Sequence, residues 1–195
     1  MQTRKSTEIR REQIVNIIRN IISSKGIEDV TIREIAMHMG TTKGAIYRHF
    51  KSKRDILNLL IENIEETLME VIDKSVDNDP IQYLNNILLN QLTLAKNRRK
   101  TSFVVILGVM QFSDPSIKKK ISQTVEKYVR RIEEILLKAI QLKKVNSETN
   151  PKTSAIAFFG LIQSSITMWS YKKFNFVPKE LHSQLWNIYY QGIGV

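Results

Sequence analysis

The stretch TIREIAMHMGTTKGAIYRHFKSKRDI, residues 31–56, constrains the fold of this chain more than any other segment. Within it Ala36, Gly40 and Ile46 follow one another at spacings of four and six residues. Two short helices that cross closely need a small residue at the crossing, a turn residue that tolerates positive φ, and an apolar anchor on the second helix. The order of residues therefore predicts a helix-turn-helix unit with its turn at Gly40.

Helical periodicity extends over the whole chain, and no segment shows the alternation of β-strands. Isoleucines from Ile9 to Ile22 predict a first helix over 7–24, with Gly26 at its C-terminal end. Thr31 and Glu34 predict a capping box at the second helix, which ends near Met39. The sequence predicts an all-α fold of about nine helices, the others at 43–50, 52–76, 81–97, 101–112, 116–144, 151–173 and 178–192.

The segment DNDP at 77–80 is the best candidate boundary between two helical parts. We expect an N-terminal three-helix domain over 1–52 and a long connecting fourth helix over 53–78. A second helical domain should occupy 79–195.

Positive charge is concentrated near the N-terminus. The net charge is +11, and residues 1–54 hold 12 Lys and Arg against 5 Asp and Glu. This excess favours a polyanionic partner, nucleic acid first and an anionic membrane surface second. A charged surface that only contacts solvent would show the same excess. The chain has no cysteine, the N-terminus resembles no signal peptide, and the apolar runs are too short to cross a bilayer. We expect a cytoplasmic protein without membrane contact.

The short helix after Gly40 has the composition of a helix that reads DNA. Its inward face holds Ile46 and Phe50, and small outward residues would let its backbone approach the floor of the major groove. The amides near Ser52 are expected to be free for a phosphate. Candidate contacts to double-stranded DNA are Thr41, Thr42, Lys43, Gly44, Ala45, Tyr47, Arg48, His49, Lys51 and Lys53.

Residues 9–57 resemble the DNA-binding segment of TetR-type transcriptional regulators. The resemblance rests on a Thr-capped helix, Ala, Gly, a short helix with Lys-Gly and Tyr-x-His-Phe, and a Lys-Ser-Lys start to the next helix. It implies a homodimeric repressor that binds a pseudo-palindromic operator and holds a small molecule in its C-terminal domain. By position it implies DNA contacts at Thr31, Thr42, Lys43, Tyr47, His49 and Lys53.

The last two helices carry apolar and small residues in excess of what a lone bundle of this length would bury. The resemblance implies that they form a four-helix dimer interface, and packing inside one chain is the alternative. Candidate dimer residues are Ala157, Gly160, Leu161, Ser164, Leu181, Leu185 and Tyr189.

A small hydrophobic or amphipathic effector would need an apolar cavity with a few amides. Candidate lining residues, each of which could equally be ordinary core, are Phe103, Leu107, Met110, Gln111, Phe159, Gln163 and Trp169. The layout of residues 110–136 resembles family members that respond to fatty acyl-CoA. The lysines at 118–120 could meet an acidic head group or simply solvate the start of a helix.

Three other classes of protein are alternatives to a ligand-responsive repressor. Against an enzyme, the sequence contains no nucleophile elbow and no phosphate-binding glycine loop. Its histidines, His38, His49 and His182, lack metal-ligand spacing. We therefore expect no catalytic residue, metal or cofactor. A DNA-bound protein of chromosome organisation or division control, without an effector, would use the same N-terminal domain. A membrane-surface protein would need a basic amphipathic face, which the first helix provides only partly.

Overall fold

The computed structural model describes residues 2–98, 102–170 and 178–194 of the chain. Every regular element within these residues is an α-helix, which confirms the predicted fold class. The observed bounds differ from the predicted ones by a few residues at most ends. The helices are α1 Gln2–Lys25, α2 Ile32–His38, α3 Lys43–Tyr47, α4 Lys53–Lys74, α5 Pro80–Arg98, α6 Ser102–Met110, α7 Pro115–Gln141, α8 Pro151–Ser170 and α9 Pro178–Ile193.

The chain divides into two compact units. The first comprises Met1–Glu66 with Val105–Ser122, and the second comprises Thr67–Val104 with Gln123–Val195. This division differs from the boundaries expected from the sequence. Residues 105–122 belong to the N-terminal unit, and α4 contributes residues to both units instead of forming a separate connecting element.

The first unit has a continuous apolar core. Ile18 of α1 and Ile35 of α2 are fully buried, and the anchor Ile46 of α3 is 2% exposed. The buried face of α1 includes Val15, whereas Ile9, which we expected on that face, is 55% exposed. The first helix also begins at Gln2 and not near Thr7.

The second unit is built around α5, which packs against both α8 and α9. Leu84 and Leu88 of α5 and Phe158 of α8 are fully buried. The Phe158 ring meets the Tyr189 ring of α9 edge-on, with 5.0 Å between centroids. Among the described helices of both units, none combines the length and the apolar character that crossing a membrane requires.

Candidate nucleic-acid interface

Two threonines start the helices of the predicted helix-turn-helix. Thr31 Oγ1 accepts a hydrogen bond from the Glu34 amide at 3.1 Å, and Thr42 Oγ1 accepts one from the Ala45 amide at 3.2 Å. The Glu34 carboxylate turns to α1, where it accepts a hydrogen bond from Lys25 Nζ at 2.8 Å. That bond lowers the pKa of Glu34. The N-cap at Thr31 is confirmed, while the reciprocal half of the capping box is replaced by this ion pair.

The turn between α2 and α3 has the predicted geometry. Gly40 has φ +62°, a left-handed conformation that favours glycine, and the Thr41 amide donates to the Ala36 carbonyl at 3.0 Å. Ala36 is 3% exposed at the crossing. Helix α3 is shorter than predicted and ends at Tyr47, where the His49 amide donates to the Ile46 carbonyl three residues back instead of at the four-residue spacing of an α-helix.

Residues from three segments line one open cleft of about 360 Å³. The cleft collects hydroxyl, ammonium and guanidinium groups from the start of α2, from α3 and from the start of α4. Its basic and hydroxyl lining suits the phosphates of a nucleic-acid backbone. The lining residues are Val30, Thr31, Ile32, Arg33, Lys43, Tyr47, Lys51, Ser52 and Lys53.

Among these lining residues, Thr31, Lys43, Tyr47, Lys51 and Lys53 were candidates from the sequence, and the fold brings them together. Arg33 was missed. The feature that could have identified Arg33 is its position two residues after the N-cap, on the exposed face of α2.

The outer face of α3 is open to solvent. Tyr47 is 56% exposed, and Arg48 and His49 are exposed beside it, while Thr41 and Ala45 are half-buried. A Cβ added to Gly44 would meet only Thr42 Oγ1, at an ordinary distance of 3.9 Å. Packing within the chain therefore gives no reason for glycine at 44, and close approach of an external molecule gives one.

Part of the backbone at the start of α4, where we expected free amides, is already bonded within the chain. Asp55 Oδ2 accepts hydrogen bonds from the Lys51 amide at 2.9 Å and the Ser52 amide at 3.1 Å. The Asp55 amide in turn donates to Ser52 Oγ at 3.2 Å. Asp55 therefore completes a capping box with Ser52, which occupies the Lys51, Ser52 and Asp55 amides.

The candidate dimer residues differ in how much of each is exposed. Ala157, Gly160 and Ser164 are exposed along one stripe of α8, and Leu161, Leu181 and Leu185 are half-buried. Tyr189 is different, because it is 6% exposed and its hydroxyl donates to the Ser154 carbonyl at 3.0 Å. The residue packs inside its own chain, so it offers no surface to a second copy.

The candidate ligand residues are divided between the two units. Leu107, Met110 and Gln111 belong to the first unit, and Leu107 and Met110 are about 40% exposed. The side chain of Phe103 lies outside the described residues. Phe159, Gln163 and Trp169 are half-buried on α8 in the second unit.

A buried polar pair that sequence reasoning missed lies in the second unit. Tyr128 of α7 is fully buried, and the side chain of Gln91 of α5, which is 3% exposed, lies beside it. Burial raises the pKa of Tyr128, so its hydroxyl stays protonated. Gln91 Nε2 has no hydrogen-bond partner among the described residues. An unused buried N–H donor is costly, and such groups in native proteins call for an explanation.

Comparison with known proteins agrees with this geometry. A family model described as bacterial regulatory proteins of the tetR family matches residues 14–60, and one described as the C-terminal region of YsiA-like protein matches 50–192. The nucleoid occlusion factor SlmA of Vibrio vulnificus is 26% identical over 180 residues, which cover 91% of this chain and 92% of that protein. The HTH-type transcriptional regulator AcrR of Shigella flexneri is 26% identical over 187 residues, covering 92% and 86%.

A solved structure with a similar fold is that of the transcriptional regulator FadR from Bacillus subtilis in complex with stearoyl-CoA. It matches with a TM-score of 0.80 and 21% identity, over 93% of this chain and 98% of that chain. At this identity the match supports the fold alone.

Proposed function

We propose, from the premise that this chain belongs to the TetR family of transcriptional regulators, that it is a homodimeric repressor released from DNA by a small hydrophobic effector. The observation that carries the DNA-binding half of this proposal is the cleft around α3. Its cations and hydroxyls surround a short exposed helix whose inner residue, Ile46, is anchored in the core. The proposed DNA contacts are Thr31, Thr41, Thr42, Lys43, Gly44, Ala45, Tyr47, Arg48, His49, Lys51 and Lys53.

The length of α3 supports a dimer. A helix of five residues, Lys43–Tyr47, reaches only a few base pairs. Useful specificity then needs two copies about 34–36 Å apart on the duplex, which predicts a pseudo-palindromic operator.

Exposed small and apolar side chains on α8 and α9 support a dimer contact through these two helices. Ile156 and Ile188 are 53% and 64% exposed, and Gly160 has open space where a Cβ would stand. We propose a four-helix interface that includes Ala157, Gly160, Leu161, Ser164, Leu181 and Leu185, without Tyr189.

The buried pair of Gln91 and Tyr128 supports an effector with an apolar chain and a hydrogen-bond acceptor. Gln91 Nε2 offers an unused donor within an apolar bundle, where a carbonyl of a ligand would satisfy it. The structural neighbour FadR was solved with stearoyl-CoA, and we propose a fatty acyl thioester as the effector class. Phe159, Gln163 and Trp169 are the proposed apolar and amide contacts in this unit.

Selection of bound fragments from genomic DNA by the purified protein tests the DNA-binding half. We expect a common pseudo-palindrome at near-physiological salt. Recovery of no common sequence by a folded protein would refute sequence-specific regulation.

A titration of the operator complex with acyl-CoA thioesters of increasing chain length tests the effector half. We expect the thioester to release DNA. Gln91→Leu removes the proposed buried hydrogen bond to the effector, so the affinity for the effector should fall about five- to a hundredfold. The exposed Gln123→Leu is the matched control, for which the effector response should not change. If every thioester leaves the complex intact, the alternative of a DNA-bound factor without an effector gains support; one relative of this chain is named a nucleoid occlusion factor.

A further inference from the structure

Lys53 differs from the other cations of the cleft because its ammonium group is already engaged. Lys53 Nζ donates to the Glu28 carbonyl at 3.2 Å and lies 3.5 Å from Glu28 Oε2. It also stands 4.9 Å from the centre of the Phe112 ring, within the range of a cation–π interaction. In the described part of the chain, the ammonium groups of Lys43 and Lys51 have no carboxylate within salt-bridge distance.

The partners of Lys53 come from two distant segments of the first unit. Glu28 belongs to the loop between α1 and α2, and Phe112 belongs to the turn between α6 and α7. The side chain of Lys53 is 25% exposed, whereas that of Glu28 is 79% exposed. Most of the Lys53 side chain is therefore covered, while the side chain of Glu28 faces solvent.

The turn that carries Phe112 is fixed beside the start of α4. Asp114 Oδ2 accepts hydrogen bonds from Arg54 Nη2 at 2.6 Å and from Arg54 Nε at 2.8 Å. Asp114 Oδ1 caps α7 by accepting from the Ser116 amide at 2.8 Å. The Phe112 amide donates to the Val109 carbonyl at 3.1 Å. These bonds fix the backbone on both sides of Phe112 and keep its ring at Lys53.

A phosphate that enters the cleft must compete with these contacts. The Glu28 carboxylate would repel it, and Lys53 would have to give up one or more of its three donors. We propose that Glu28 and Phe112 form an internal latch, which competes with the DNA backbone for Lys53 and lowers the affinity of the free protein for DNA. The latch rests on the proposed DNA-binding function. It differs from a DNA contact in its effect: removing Glu28 or Phe112 should raise the affinity for DNA, whereas removing a contact residue should lower it.

Affinity for a mixed-sequence duplex of about 20 base pairs, measured by fluorescence anisotropy at about 50 mM salt, tests the latch. The variants are Glu28→Gln, which keeps the size of the side chain and removes its charge, and Phe112→Leu, which keeps an apolar side chain and removes the ring. Asp29→Asn is the matched control, because it removes one negative charge from the neighbouring exposed position. Each variant is also made in a Lys53→Ala background, and thermal unfolding checks that all fold.

We expect Glu28→Gln and Phe112→Leu to bind about two- to fivefold more tightly than the wild type, from the usual strength of an exposed ion pair or cation–π contact. The gain of Glu28→Gln should exceed that of Asp29→Asn, and both gains should vanish in the Lys53→Ala background. Gains that persist without Lys53, or that equal the gain of Asp29→Asn, would overturn the latch. Weaker binding would also overturn it, since the two residues would then hold Lys53 in place for DNA.

Reductive methylation of the DNA-free protein provides a second readout. The rate at Lys53, referred to Lys51 within the same peptide digest, should rise in both latch variants. An unchanged ratio would show that neither residue restrains Lys53. If neither the wild type nor any variant binds the duplex, the proposed function itself fails, and that result differs from one in which all variants bind equally.

Discussion

Replacing Gly160 with alanine should have opposite effects on the stability of the single chain and on the affinity of the proposed dimer. Gly160 lies inside α8, Pro151–Ser170, and is exposed in the single chain. A Cβ built there meets no atom within 4 Å. Glycine in a helix interior is about 1 kcal/mol less favourable than alanine. Within one chain, the substitution should therefore stabilise the folded state by about 1 kcal/mol.

The same methyl group should weaken the proposed dimer. If the stripe of Ala157, Gly160 and Ser164 faces a second copy, the two α8 backbones approach closely because these side chains are small. Adding a methyl to a close-packed contact costs about 1–3 kcal/mol, which corresponds to a dimer about five- to a hundredfold weaker. Stability of the chain and affinity of the dimer should thus change in opposite directions.

Sedimentation equilibrium over a range of protein concentrations gives the dimer dissociation constant, and urea unfolding of the dissociated chain gives its stability. Gln123→Ala, at an exposed position of α7 in the same unit, controls for a general gain in helix propensity. A Gly160→Ala protein that is more stable and dimerises as tightly as the wild type would refute close packing at Gly160. A chain that loses stability even when dissociated would refute the premise that the position is open.

Three further predictions follow from single side chains. Thr42→Ala removes the N-cap of α3 and should lower the free energy of unfolding in urea by about 1 kcal/mol, with a loss of DNA affinity. Tyr47→Ala should weaken binding to every duplex but leave the slope of log K against log salt unchanged, because a neutral hydroxyl that bonds a phosphate releases no counterion; an unchanged affinity would exclude that contact. Hydrogen bonding to Lys144 lowers the pKa of Asp79 below its ordinary 3.8 in the folded chain, so the stabilisation is complete above that value and lost as pH falls through the lowered pKa. The difference in urea midpoint between the wild type and Asp79→Asn should therefore shrink below about pH 4, and a difference independent of pH would contradict the argument.

The helix-turn-helix could be predicted because its determinants are local. Ala36, Gly40 and Ile46 lie within eleven residues of one another, and each has a requirement that few residue types meet, namely small size, positive φ or an apolar anchor. The structure places all three in those roles. The N-caps at Thr31 and Thr42 are equally local, since each hydroxyl binds an amide three residues later.

The buried faces of the outer helices were harder to assign. Ile9 continues the isoleucine spacing of α1 yet is exposed, and Tyr189 is buried while its neighbour Ile188 is 64% exposed. Periodicity gives the angular width of an apolar stripe, but not which part of it meets the chain's own core and which part is left for a partner. That assignment depends on neighbouring helices, whose positions a single sequence does not contain.

The same limit explains why the cleft could be predicted from the sequence and the latch could not. The cations of the cleft are visible in the sequence because they cluster within a few residues of α3, and their number alone suggests a site for phosphate. Whether a given cation is available depends on its partners, and those of Lys53 are 25 residues away at Glu28 and across the fold at Phe112. Asp55, only two residues after Lys53, likewise occupies the amides of Lys51 and Ser52. A basic segment therefore predicts where a polyanion binds, while the competing carboxylates and rings, known only from the structure, determine how strongly each cation contributes.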